Sequence, residues 1–86
     1  LPGLEARTLS PDLELQKRER IAAVHRALAR LSAEHRAVLV LFDLQGYTYE
    51  DCALILKLPM GTVKSRLSRA RLALKTVLEE ERELFS

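Results

Sequence analysis

Eighty-six residues, 48% apolar and 30% charged, with two Tyr, two Phe and no Trp, suffice for one small domain whose core must come from Leu, Ile, Val and Ala. The low Gly and Pro content argues against a collagen-like repeat, a disordered chain or a β-sandwich. A lone cysteine, Cys52, excludes an internal disulfide scaffold. The net charge of +2 conceals a segregation, since residues 57–78 hold six bases and no acid, whereas Glu79, Glu80, Glu81 and Glu83 follow against Arg82 alone.

Residues 1–11 read as a linker or flexible N-terminus, and a chain that opens on Leu1 rather than Met suits a piece of a longer protein. No apolar run approaches the ~18–20 residues of a membrane span, and no signal-peptide pattern is present. Ser10-Pro11 supplies an N-cap followed by a proline at the first helical position, where its missing N–H costs nothing. Leu13, Ile21, Val24, Leu28 and Leu31 then recur at helical spacing and predict a helix over about 12–30. Ser32 caps a second helix, about 33–45, with Glu34 in the first turn where the dipole favours an anion. Its stretch Ala37–Leu44 is apolar at seven of eight positions, which places it at the centre of a bundle or partly at an interface; Gly46 ends it.

Thr48-Tyr49-Glu50-Asp51 resembles a capping box with Asp51 in the place of the usual Glu or Gln, and opens a short third helix over about 49–57. Pro59 disfavours helical backbone at Leu58. Beyond Gly61, the spacing of Val63, Leu67, Ala70, Leu74 and Val77 puts one apolar stripe on a fourth helix, about 60–80, before an acidic C-terminal tail, 81–86. The expected fold is therefore all-α, a four-helix bundle spanning about 12–80.

A short helix, a turn of about three residues and a basic helix are the parts of a helix-turn-helix, here about 49–69. With Val63 at zero and about 100° per residue, Lys64 falls near 100°, Ser68 near 140°, Ser65 near 200° and Arg69 near 240°, opposite the stripe. Two small serines let a helix backbone approach base edges, Arg69 has the reach and fork for a guanine edge or phosphate, and Lys64 suits phosphate. Arg66 flanks the stripe, so a backbone phosphate or an internal acid such as Glu50 is the expected partner. Arg71 and Lys75 lie further along, where the helix would be leaving the groove. A block of this charge is the footprint of a polyanion site, but it also suits a solvated helix face in a protein-interaction bundle.

The residues Gly46-Tyr47-Thr48-Tyr49-Glu50-Asp51, followed by Met60-Gly61-Thr62-Val63-Lys64-Ser65-Arg66-Leu67 and Arg69-Ala70-Arg71, resemble region 4 of bacterial sigma factors, most nearly the extracytoplasmic-function group. Upstream, Leu31-Ser32-Ala33-Glu34-His35-Arg36-Ala37-Val38-Leu39 is similar to the same family's approach to the motif, and the likeness covers about residues 28–78. The resemblance implies a cytoplasmic bacterial protein whose helix-turn-helix reads the −35 promoter element. It further implies docking on the β-flap of RNA polymerase and masking by an anti-sigma factor. It places Thr62, Lys64, Ser65 and Arg69 at groove-facing positions and Tyr49 and Glu50 at a helix start suited to phosphate; Arg66, Ser68 and Arg71 complete the candidate DNA-binding set. Three positions depart from the pattern: Phe42 where an Arg able to touch DNA is common, Lys57 where Gly is common, and Ser32-Ala33 without the usual Pro. A free-standing helix-turn-helix regulator shares the motif and would differ by dimerising on a palindrome.

Other constellations carry less. His25 and His35 lack partners at metal-ligand spacing, so no metal site is expected. Cys52, among apolar neighbours, reads as a packing residue. No paired carboxylates, triad or phosphate loop occur, so neither catalysis nor a cofactor is expected. Leu72, apolar on the outer face of the fourth helix, keeps a protein-partner surface in play.

Overall fold

Three polar caps set where the helices begin. Ser10 Oγ accepts the Leu13 N–H at 3.3 Å and Ser32 Oγ accepts the His35 N–H at 3.2 Å. At Thr48 the box closes both ways: its Oγ1 accepts from Asp51 N–H at 3.1 Å, and Asp51 Oδ2 accepts from Thr48 N–H at 3.4 Å. Each cap of this kind contributes about 1 kcal/mol by satisfying a donor the helix cannot.

The computed structural model describes residues 10–84. It contains α1 (Pro11–Arg30), α2 (Ala33–Leu39, continued by a π-helical turn over Val40–Leu44), α3 (Tyr49–Leu56) and α4 (Met60–Leu84). No strand occurs among the described residues, and no helix among them is long and apolar enough to cross a membrane. The N-terminal segment 1–9, read as linker, and residues 85–86 lie outside them.

The predicted helix over 33–45 is therefore not uniform. Its last turn widens, with Gln45 N–H reaching back five residues to Val40 C=O at 2.9 Å. No Gly or Pro marks the change within residues 38–44. What the widened turn accomplishes is positional, because it presents Phe42 and Asp43 towards neighbouring helices. Gly46, at φ 76°, then turns the chain in a left-handed conformation that costs a glycine nothing.

Helix α4 packs against each of the other three and supplies the floor of the core. Its stripe behaves as spaced: Val63, Leu67 and Ala70 are buried, and Leu74 and Val77 are half-buried. Leu28 and Leu31 from the end of α1, Val38 and Leu39 from α2, and Cys52 from α3 close over them. Arg36 ties α2 to the end of α1, its Nη1 donating to the carbonyls of Leu28 at 3.4 Å and Leu31 at 3.5 Å.

The assembly is a slab, 45 × 39 × 15 Å, about one helix and its neighbours thick. That thinness limits full burial. Leu13 and Ile21, expected on the core stripe of α1, are 51% and 48% exposed, because the first three turns of α1 run past the bundle. A groove of about 700 Å³ separates α1 from the later turns of α4, with Ala23, Leu74 and Leu78 at its base.

The other correction concerns the C-terminus. Residues 81–84, read as part of an acidic C-terminal tail, continue α4 as helix. Arg30 Nη2 donates to Glu80 Oε2 at 2.7 Å, and Glu81 is 8% exposed between Arg26 and Arg30, at 3.8 and 4.0 Å. Glu80 and Glu81 thus answer bases on α1. One buried oxygen, Glu81 Oε2, makes no hydrogen bond.

Candidate nucleic-acid interface

The turn between α3 and α4 consists of Lys57, Leu58 and Pro59. Lys57 is left-handed, at φ 57° and ψ 48°, in the position where the resemblance leads one to expect glycine. Both the Lys57 and the Leu58 N–H return to Ala53 C=O, the latter at 3.0 Å, which closes the end of α3. The left-handed turn is what swings α4 across α3, and Pro59 then stops the helix from continuing backwards.

On α4 the outward face is small and basic. Ser65, Ser68 and Arg69 are exposed, and the Ser65 hydroxyl donates to Thr62 C=O at 3.1 Å, keeping it close to its own helix. Thr62 is half-buried beside the core, so it borders that face rather than standing on it. Among the described residues Lys57, Arg69 and Lys75 form no ion pair. Arg66 does: its Nη2 lies 3.9 Å from Glu34 Oε2 on α2, not beside Glu50 as the spacing suggested, and Glu50 is left exposed. With Glu34 73% exposed, that contact is worth at most about 1 kcal/mol and can be exchanged for another anion.

A layered cluster joins the π turn, α3 and α4. Phe42 and Tyr49 stack with ring centroids 4.4 Å apart and planes 23° from parallel. Lys64 Nζ sits 5.2 Å from the Tyr49 ring centre on one side, and the Arg71 guanidinium 5.6 Å from the Phe42 ring centre on the other. Arg71 also grips Asp43 with two hydrogen bonds, Nε to Oδ2 at 2.9 Å and Nη2 to Oδ1. That hydrogen bond, and then the Asp43 charge, push the Arg71 pKa still higher. Phe42 therefore serves packing, in place of the DNA contact that an Arg there would offer.

Of the nine expected site residues, the structure brings Lys64, Ser65, Ser68 and Arg69 to the exposed surface of one helix, with Glu50 exposed at the start of α3. Tyr49 and Lys64 are linked to each other, Arg66 is drawn towards α2, and Arg71 is engaged by Asp43. Sequence reasoning did not single out Asp43. An acid on an otherwise apolar helix was the available signal, and only the widened turn directs it at Arg71. Among the described residues, no group of three or more His, Cys, Asp or Glu side chains is placed to hold a metal.

A short helix, α3, joined through a left-handed turn to a long one, α4, that carries an exposed basic face and packs against α1 and α2, makes this a helix-turn-helix domain. The family model for sigma-70, region 4, matches residues 21–74, and the chain belongs to that family. It is 37% identical over 70 residues to the RNA polymerase sigma-H factor of Pseudomonas aeruginosa, covering 81% of this chain and 36% of that protein. It is 50% identical over 60 residues to the ECF RNA polymerase sigma factor SigM of Mycobacterium tuberculosis, covering 70% and 31%. With the RNA polymerase sigma factor YlaC of Bacillus subtilis it shares 33% over 73 residues, covering 85% and 42%. The chain thus spans about a third of the length of these relatives.

Proposed function

We propose that this domain recognises the −35 element of promoters as region 4 of an alternative sigma factor of the extracytoplasmic-function group, directing RNA polymerase to start transcription and performing no chemistry itself. The observation that carries the reading is the exposed Ser65, Ser68 and Arg69 face on the helix that follows the left-handed turn. Small side chains there admit the helix to the major groove, and an unpaired arginine beside them offers a bidentate donor to a guanine edge. Within the helix-turn-helix, 49–69, Lys64 and Arg66 address phosphates, Thr62 borders the groove, and Tyr49 and Glu50 stand where α3 meets the backbone. The protein partners are the β-flap of RNA polymerase and an anti-sigma factor, in the bacterial cytoplasm.

The test is selection of preferred duplexes from a random pool, alongside co-purification with the β-flap segment. Arg69→Ala should cost about 1–3 kcal/mol and relax preference at one base pair, whereas Lys64→Ala should weaken all sequences alike. An Arg69→Ala domain with the parent's preference overturns the assignment of Arg69. Selection of palindromes by a dimer that ignores the flap would instead identify a free-standing regulator.

A further inference from the structure

The basic block of α4 contains more cations than it exposes to solvent without a partner. Arg66 meets Glu34 through one long, mostly solvated contact. Arg71 is held differently. It lies seven residues after Lys64, two turns along the same side of α4, so both cations border the Phe42–Tyr49 stack. Asp43 then closes on it with two parallel, charge-assisted hydrogen bonds, the geometry in which an arginine–carboxylate pair is strongest. With Nε and Nη2 committed to Asp43, Arg71 has no bidentate edge on that side left for a phosphate, and the Asp43 carboxylate beside it offsets the charge that would draw one.

We propose that Asp43 sets how tightly this domain holds DNA: by engaging Arg71 in a bidentate pair, it keeps one cation of the recognition helix off the phosphate backbone. The inference rests on the DNA-binding reading above and identifies a residue, outside the contact face, that tunes it. The π turn of α2 is part of the device, since it presents Phe42 and Asp43 in succession to α4. Asp43 is a positioning residue, acting on DNA only through Arg71.

The experiment is a salt titration of the 86-residue chain binding a mixed-sequence duplex of about 20 base pairs, followed by fluorescence anisotropy between about 50 and 200 mM salt. Each phosphate contact adds about 0.9 to the slope of log K against log salt. Asp43→Asn should steepen the slope by about that amount and tighten binding about three- to tenfold at the lowest salt. Asp43→Glu, which can rebuild the pair, should stay near the parent. Arg71→Gln alone should leave the slope unchanged, and Asp43→Asn with Arg71→Gln should return to the parent value. The proposal is overturned if folded Asp43→Asn keeps the parent slope, or if Glu79→Gln, which removes an acid of α4 that forms no ion pair among the described residues, steepens it equally. It is also overturned if Arg71→Gln flattens the slope by about one contact, and that variant decides the matter should Asp43→Asn fail to fold. A folded parent chain showing no salt-dependent binding would remove the DNA reading and this proposal with it, whereas a binding parent with an unresponsive Asp43→Asn would remove the proposal alone.

Discussion

Replacing Lys57 by glycine should stabilise the domain, and the turn geometry sets the amount. Lys57 holds φ 57° and ψ 48°, where a Cβ crowds the following carbonyl and costs roughly 1–2 kcal/mol. Glycine removes that crowding but brings about 0.4–1 kcal/mol of extra freedom to the unfolded chain. The hydrogen bonds that close α3, from the N–H groups of Lys57 and Leu58 to Ala53 C=O, belong to the backbone and survive the change. The Lys57 side chain is exposed and forms no ion pair among the described residues, so no contact is lost with it. The balance is a gain of about 0.5–1 kcal/mol, or about 2–8 °C in Tm for a domain of this size. Thermal melts followed by circular dichroism, with urea titrations to confirm an unchanged m value, measure it. Lys57→Ala separates backbone from charge, because it discards the ammonium while keeping the Cβ, and it should bring no gain. A Lys57→Gly melting temperature at or below the parent's, or an equal rise in Lys57→Ala, would refute the strain argument.

Three further outcomes test the core. Leu67 is 1% exposed beneath three helices, so Leu67→Ala should cost about 2–5 kcal/mol in urea titrations, a large share of the stability of so thin a domain. Cys52 is fully buried, and burial, followed by the nearby Asp51 charge, raises its thiol above the ordinary 9.0. A thiol reagent at about pH 8 should therefore label the native chain slowly and the urea-unfolded chain at once. Because the folded pKa is raised, the stability linked to Cys52 is complete below the unfolded value and is lost as pH climbs through the folded one. The melting temperature should accordingly decline more steeply above pH 9.0 in the parent than in Cys52→Ala.

The elements that were legible in the sequence are those governed by near neighbours. Ser10, Ser32 and Thr48 cap three helices because a hydroxyl reaches an N–H three residues on, whatever lies elsewhere. The spacing of Val63, Leu67 and Ala70 determines which side of α4 is buried, and hence that Ser65, Ser68 and Arg69 face away from it. The string of residues around them also carries the family. The left-handed backbone of Lys57 is foretold only by the resemblance, in which glycine is common at that position.

Tertiary structure alone decided the rest. Periodicity states which side of a helix is apolar, not how far a neighbouring helix extends to cover it. Leu13 and Ile21 stay half-exposed for that reason, on turns of α1 that run beyond the slab. Charge counts could not say which acids meet which bases across 28 or 50 residues, as Asp43 meets Arg71 and Glu80 meets Arg30. Those pairings depend on where helices cross and on a π turn that no residue in its own sequence announces. Local chemistry thus set α4 and its outward face, while the packing of distant helices settled which of its cations are engaged within the fold.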